Sequence, residues 1–272
     1  MKDEKTDQLT VEVEGVELRR ALAWVNAAVR DGRNLSRAFP RVALFSFEGD
    51  GLDVVGVDAH GVRMHTYRVP LSREMPRRME YIVPDWVAGF FAEFLPRQAR
   101  ENRPVSLCVG DTLAIEMEGP GNGLLSAQRG RGVFPRWDYV VAEERRLDLE
   151  GRVVTASVLL RELTAALAQV CKGEPRRQVP VRFLRDGQEL HIEGFGEKTE
   201  VIRPDYWAGD GDLSDEFGPW YDAAALLASV RAVKGWGAEA MVLFRTGAEM
   251  PGLSCLRVEH GSLTLYVSNY CP

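Results

Sequence analysis

The chain has 272 residues, 45% apolar and 27% charged, with a formal net charge of −6. That composition excludes a disordered or fibrous polypeptide and suits two domains of ordinary size. No apolar run reaches bilayer-spanning length, since the richest, 86–95, is short and contains Glu93. The charged start MKDEKTDQLT is unlike a secretion signal, and Cys108, Cys171, Cys255 and Cys271 form no Cys-x-x-Cys pair. A reduced cytoplasmic protein is expected, with neither a disulfide framework nor a zinc site.

Residues 16–30 place Leu18, Ala21, Leu22, Val25 and Val29 at helical spacing, a single apolar stripe. Extended runs follow at 42–47, 52–57 and 62–69. The first two are joined by EGDG, where Asp-Gly supplies positive φ for a hairpin. After IVP comes a second helix with Val87, Phe90, Phe91 and Phe94 as its stripe and Asp85 as its cap. Strands at 105–109, 113–117 and 124–129 complete the first half. The stretch GVFPRWDYVV, 132–141, is read as a linker, stiffened by the fixed φ of Pro135 and anchored by its apolar side chains. Then the order recurs. A helix near 157–172 carries Leu159, Leu163, Ala166, Leu167 and Val170, and strands follow at 181–184, 189–193 and 199–203. A helix near 221–234 carries Ala223, Leu226, Leu227 and Val230, before strands near 241–245, 253–258 and 263–268. Each half reads helix, strands, helix, strands. The fold class is α+β by duplication, with helices covering one face of each antiparallel sheet.

The other side of each helix is cationic. On the first, Arg19, Asn26, Arg30 and Arg33 fall opposite the apolar stripe, and the second runs into Arg97, Arg100 and Arg103. The third offers Arg161, Ala165, Ala168 and Lys172, then Arg176 and Arg177; the fourth has Arg231 and Lys234 beside small residues. Acidic residues gather elsewhere, at Glu12, Glu14, Glu17, Glu116, Glu118 and the DGDLSDE loop, 210–216. Solvated faces and macrodipole stabilisation account for any one helix alone. Four helices with one bias point to a surface that holds phosphates without reading sequence, and so can slide. The acidic total does not oppose this, because local potential decides what docks.

Catalytic signatures are missing. No Gly-x-x-x-x-Gly-Lys loop is present. Asp58, His60 and His65 lack the supporting His spacing or clustered carboxylates of a metal or catalytic group, and Asp58 and His60 read as turn formers. No enzymatic activity, metal or cofactor is expected. Trp86, Trp137, Trp207 and Trp220 are either stacking platforms for single strands or packing residues.

Three segments resemble bacterial sliding clamps, the β subunits of DNA polymerase III. FPRWDYVV is similar to their Phe-Pro-Asp-Tyr segment. LDVVGVDAHGVRM, 52–64, resembles their strand and Thr-Asp-Gly-His-Arg-Leu turn, and LTLYVSNYCP resembles their last strand and tail. Val57 stands where the family has Thr, the turn is longer before Arg63, and the tail departs from a Met-Pro-Met-like ending. The resemblance covers essentially the whole chain. It implies a duplicated DNA-clamp fold, with 1–138 resembling the middle clamp domain and 139–272 the C-terminal one. It further implies a cytoplasmic DNA polymerase processivity factor that encircles duplex DNA. Two domains per chain, the count of the trimeric clamps of eukaryotes, archaea and some phages, make a homotrimer the expected ring, since clamp rings contain six domains in total. Short peptides of the replicative DNA polymerase and clamp loader would dock in a pocket walled by Val57, His60, Val62, Val140, Val141, Ser268, Asn269 and Tyr270. Ser268 and Asn269 put polar atoms where apolar contact is expected, which disfavours the standard bacterial peptide. Two other readings remain open: a clamp-fold regulatory or decoy protein that binds clamp partners without encircling DNA, and a small-molecule hydrolase on a duplicated scaffold.

Overall fold

Strict alternation governs the first described strand. In Leu9–Glu14, Val11 and Val13 are buried while Thr10, Glu12 and Glu14 are exposed, so one face can close a core. The computed structural model describes residues 8–30, 42–58, 63–95, 103–116, 124–128, 134, 137–150, 153–174, 178–194, 198–209, 220–233, 239–245 and 255–268. The chain divides into two compact units, Met1–Gly61 with His65–Pro135, and Val62–Met64 with Arg136–Pro272.

The first unit's elements run β1 (Leu9–Glu14), α1 (Gly15–Arg30), β2 (Val42–Val57), β3 (Arg63–Pro84, its first two residues counted with the second unit), α2 (Asp85–Phe94), β4 (Pro104–Val109), β5 (Thr112–Glu116) and β6 (Leu124–Gln128). Four of these strands form an antiparallel sheet in the order β1-β4-β5-β6. Both helices lie in sequence between β1 and its partner β4, and they pack on each other. The expected stripe of α1, Leu18 to Val29, is buried. Gly56 lets the helix lie close to β2, because a Cβ there would stand 2.4 Å from Val25 Cγ1. His65 is fully buried, stacked on Trp24 with ring centroids 4.0 Å apart, and its Nδ1 lies 2.9 Å from Trp24 O. Trp24 Nε1 in turn donates to Thr66 O at 3.1 Å, tying α1 to β3.

The second unit repeats the plan. It contains α3 (Trp137–Leu149), β7 (Val153–Leu159), α4 (Leu160–Val170), β8 (Pro180–Asp186), β9 (Glu189–Gly194), β10 (Thr199–Ile202), β11 (Tyr206–Ala208), β12 (Tyr221–Asp222), α5 (Ala223–Ala232), β13 (Glu239–Arg245), β14 (Cys255–His260) and β15 (Leu263–Ser268). Its strands β7-β13-β14-β15 follow the order of β1-β4-β5-β6, again antiparallel, with β11 added outside β7. A second antiparallel sheet has the order β10-β9-β8-β12. Helices α4 and α5 pack together between β7 and β13 in sequence, with Leu163, Ala166, Leu167, Leu226, Leu227 and Val230 buried. No helix among the described residues is long and apolar enough to cross a membrane.

Four expectations need correction. The stretch read as a stiff linker enters a helix at Trp137 and stays helical to Leu149. Strong helix formers follow the valines, and Arg146 pairs with Glu143 at 2.7 Å and also with Glu150, one turn away on either side. Asp85 does not cap α2. Pro84 holds the cap position without a side-chain bond, and Asp85 sits in the first turn, where its charge suits the dipole. The positive φ expected of the Asp-Gly pair in EGDG falls instead on Gly49, at 58°, where Arg68 reaches Glu48 O, Asp50 and Asp53 together. The third helix begins at Leu160 instead of 157, because 153–159 pair as β7.

Asp222 caps α5, its Oδ1 accepting from Ala224 N at 2.9 Å, Ala225 N at 3.3 Å and Val179 N at 3.3 Å. Asp222→Ala should therefore cost about 1 kcal/mol in urea unfolding, while Asp222→Asn, which keeps an acceptor oxygen, should cost far less. Burial holds this carboxyl above its usual value of 3.8, against the opposing backbone donors and Arg63. The native state then binds the proton more tightly than the unfolded chain, so the ionised cap loses stability as pH rises above 3.8. The stability of Asp222→Asn relative to the unaltered chain should accordingly grow between acid and neutral pH. A pH-independent difference would remove the buried-carboxylate account.

Candidate nucleic-acid interface

Helix periodicity sets what each helix can offer outward. On α4, Arg161 and Ala165 are exposed, Ala168 is half-buried, and exposed Lys172 follows the last turn. Eleven residues at 1.5 Å each separate Arg161 from Lys172 by about 16 Å along the axis, on nearly the same side. Arg231 is exposed in the last turn of α5. Small alanines between the cations leave room for close approach. At the end of α4, burial first and the Asp222 carboxylate second push the Cys171 thiol up, against the positive charges of Arg231 and Lys198.

The first unit differs. Arg19 is half-buried, and its Nε donates to Ala92 O at 3.0 Å, so it ties α1 to the end of α2. Asn26, expected on the polar side, is buried with 7% exposure. The open side of α1 is turned toward Arg20, Ala23 and Ala27. Arg20 was not among the expected residues; its i,i+3 spacing from Glu17 is the sequence signal that marks it, and the two pair at 2.6 Å. Arg103 is exposed beside the start of α1, where its carbonyl accepts from Gly15 N at 3.0 Å. Arg30 ends α1. Arg33, Arg97, Arg100, Arg176, Arg177 and Lys234 lie outside the described residues, and the side chain of Arg30 does too.

Ion pairing separates these cations from most others. Arg68, Arg78, Arg146, Arg182, Lys198 and Arg203 each meet a carboxylate within 3 Å. Arg103, Arg161, Lys172 and Arg231 have no ion-pair partner among the described residues. Arg73, Arg77 and Arg145 share that property away from the helix pairs, so openness alone does not mark a site.

The expected peptide-pocket residues are placed only in part. Val57 ends β2 and is buried with 7% exposure. Val140 and Val141 are half-buried on α3 instead of lying on an extended segment, and Ser268 is the last residue of β15. His60, Val62, Asn269 and Tyr270 lie outside the described residues. Among the tryptophans, Trp137 is buried, Arg185 lies 4.6 Å over the Trp207 ring, and Arg182 lies 5.3 Å over Trp220. Trp86, 67% exposed, retains an open ring.

No family model and no curated protein matches the chain. Solved structures do. The DNA polymerase sliding clamp of Bacillus subtilis is 14% identical, with a TM-score of 0.72, over 98% of this chain and 65% of that one. The DNA polymerase III subunit beta of Pseudomonas aeruginosa is 16% identical, with a TM-score of 0.70, over 100% of this chain and 69% of that one. A protein assigned as a DNA polymerase III beta subunit in Eubacterium rectale is 12% identical, with a TM-score of 0.72, over 99% and 67%. The chain thus spans about two thirds of the length of these solved chains. Across that length it has the fold of the DNA polymerase sliding clamps.

Proposed function

We propose that the chain is a DNA sliding clamp, a non-catalytic processivity factor that encircles duplex DNA and tethers replication proteins in the cytoplasm. The observation that carries this reading is the open cationic face of α4 and α5, Arg161, Lys172 and Arg231, on a unit whose strand order is repeated earlier in the chain. Residues 1–138 and 139–272 then correspond to the middle and C-terminal clamp domains. Cations without ion-pair partners among the described residues can hold phosphates through counterion release, which is indifferent to sequence and permits sliding. Full burial of His65 against Trp24 supports a packing role in place of a catalytic one.

The decisive experiment is retention on DNA. The chain should stay on circular duplex and run off linear duplex; equal retention on both, or on neither, overturns the encircling reading. The regulatory or decoy reading draws support from α1, where Arg19 and Arg20 are engaged internally. Replacing Arg161, Lys172 and Arg231 by Glu should lower the salt slope by up to about 0.9 per lost contact, with the fold intact. Arg19→Glu should mainly lower thermal stability, because that side chain joins two helices.

Assembly follows from edges. β6 ends the first unit's four-stranded sheet, and β10 ends the second unit's smaller sheet, with Val201 46% exposed. Open edges need pairing or cover, and a head-to-tail contact turning by a third of a circle closes a ring. The 272-residue chain should scatter light as a trimer of its 30.4 kDa unit. Val201→Lys, which places a charge on that edge, should shift it to monomer. A monomer at tens of micromolar sinks the ring, allowing for dissociation on dilution.

Partner choice is proposed to be altered. Apolar anchors contribute roughly 1.5–3 kcal/mol each when fully desolvated, and polar atoms at Ser268 and Asn269 work against that. The standard bacterial clamp-binding peptide should bind weakly, and a dedicated partner should offer an aromatic anchor to Tyr270 and a hydrogen-bonding group to Asn269. Tight binding of the standard peptide, unchanged on deleting 268–272, would refute both the specificity and the placement.

A further inference from the structure

We infer that Glu17, fixed in place by Tyr67, masks Arg20 and so limits how strongly the α1 face holds DNA; the inference rests on the clamp reading. Glu17 lies in the first turn of α1, and its Oε1 receives Arg20 Nη1 at 2.6 Å. An ordinary surface pair at this spacing contributes little, because both side chains roam and salt screens them. This pair differs at one end. The other oxygen, Oε2, accepts a hydrogen bond from the hydroxyl of Tyr67, a residue only 4% exposed on β3.

The phenol cannot readily give up this role. Burial first, and then the bond to Glu17, raise its proton affinity well above that of an ordinary tyrosine, so at working pH it always donates. The carboxylate is thereby held in one rotamer, facing Arg20, and its ordering cost is met before the ion pair forms. Arg20 is 46% exposed on the open side of α1, with Ala23 and Ala27 along the same strip. Without the carboxylate it would be a phosphate contact like Arg161 on α4. With it, the guanidinium releases fewer counterions when DNA arrives.

A first-turn acid also suits the helix dipole, which would give Glu17 a purely structural role. Stability would move in that case, but the salt dependence of DNA binding would not. The test is therefore the anisotropy of a labelled duplex titrated with the full chain at several salt concentrations. Glu17→Gln keeps a hydrogen-bonding group for Tyr67 and removes the charge. It should bind duplex more tightly at low salt and steepen the slope by about 0.9, an additional loss of about 3.5-fold between 50 and 200 mM salt. Glu17→Gln/Arg20→Gln should return to the unaltered slope, and Tyr67→Phe should fall between. Equal slopes for the unaltered chain and Glu17→Gln overturn the masking alone, as does a gain that survives loss of Arg20. Failure of every variant, Glu17→Gln included, to bind this duplex also overturns the masking, whereas the clamp reading stands or falls separately on retention on circular duplex.

Discussion

Everything in each unit hangs on one long-range pairing, β1 with β4 and β7 with β13. The register Leu9↔Val109 through Glu14↔Pro104 joins residues nearly a hundred positions apart. Glu239↔Leu159 through Arg245↔Val153 joins residues 80 to 92 positions apart in the second unit. Both helices of a unit are spliced into the loop that this pairing closes, so closure delivers them as an adjacent pair. Their apolar stripes then bury one side, and whatever the sequence places opposite is left open. Non-local closure of this kind is costly in chain entropy, and the fully buried valines and leucines of these strands supply the offsetting burial.

The charge distribution becomes intelligible on that scaffold. A total of −6 conceals two populations of cations. Those on strands and turns are mostly spent locally: Arg68 on Asp50 and Asp53, Arg182 on Glu193, Arg203 on Glu189. Arg161, Lys172 and Arg231 have no ion-pair partner among the described residues, so their charges stay open although the chain's total is acidic. Pairing, more than composition, determines where an anion can settle.

Much of this was legible in the sequence, because helical stripes and hairpin turns are short-range signals. The stripes of α1 and α5 lie where periodicity places them, and that of α4 does from Leu163 onward, Leu159 belonging to β7. The two strands that close the units, β1 and β7, are not marked by those signals, although LTVEVE alternates plainly. A six-residue alternation ahead of a helix looks like a lead-in until its partner a hundred residues away is known. The failure at 137–149 has another cause. Two valines and an aromatic pair suggested extended chain, whereas the run from Ala142 onward decides for helix, and Arg146 locks it with Glu143 and Glu150. Asn26 and Arg19 depart from the expected open side for a third reason: a stripe gives the buried centre of a helix, and a second helix packing beside it buries part of the margin as well.

That margin is where function and stability compete. A residue at the edge of a helix stripe can reach the neighbouring helix or reach solvent, and one side chain cannot do both. Arg19 reaches Ala92 O and stabilises the pair; Arg20, one position on, points outward and meets Glu17. A ring that must travel along DNA gains nothing from holding each phosphate tightly, because every added contact must break at each step. Topology can retain such a ring, leaving the helix faces free to be only weakly attractive. On the proposed function, an acidic chain with a few open arginines and lysines, and an arginine held back by its own carboxylate as inferred for Arg20, would meet that requirement better than a uniformly basic one.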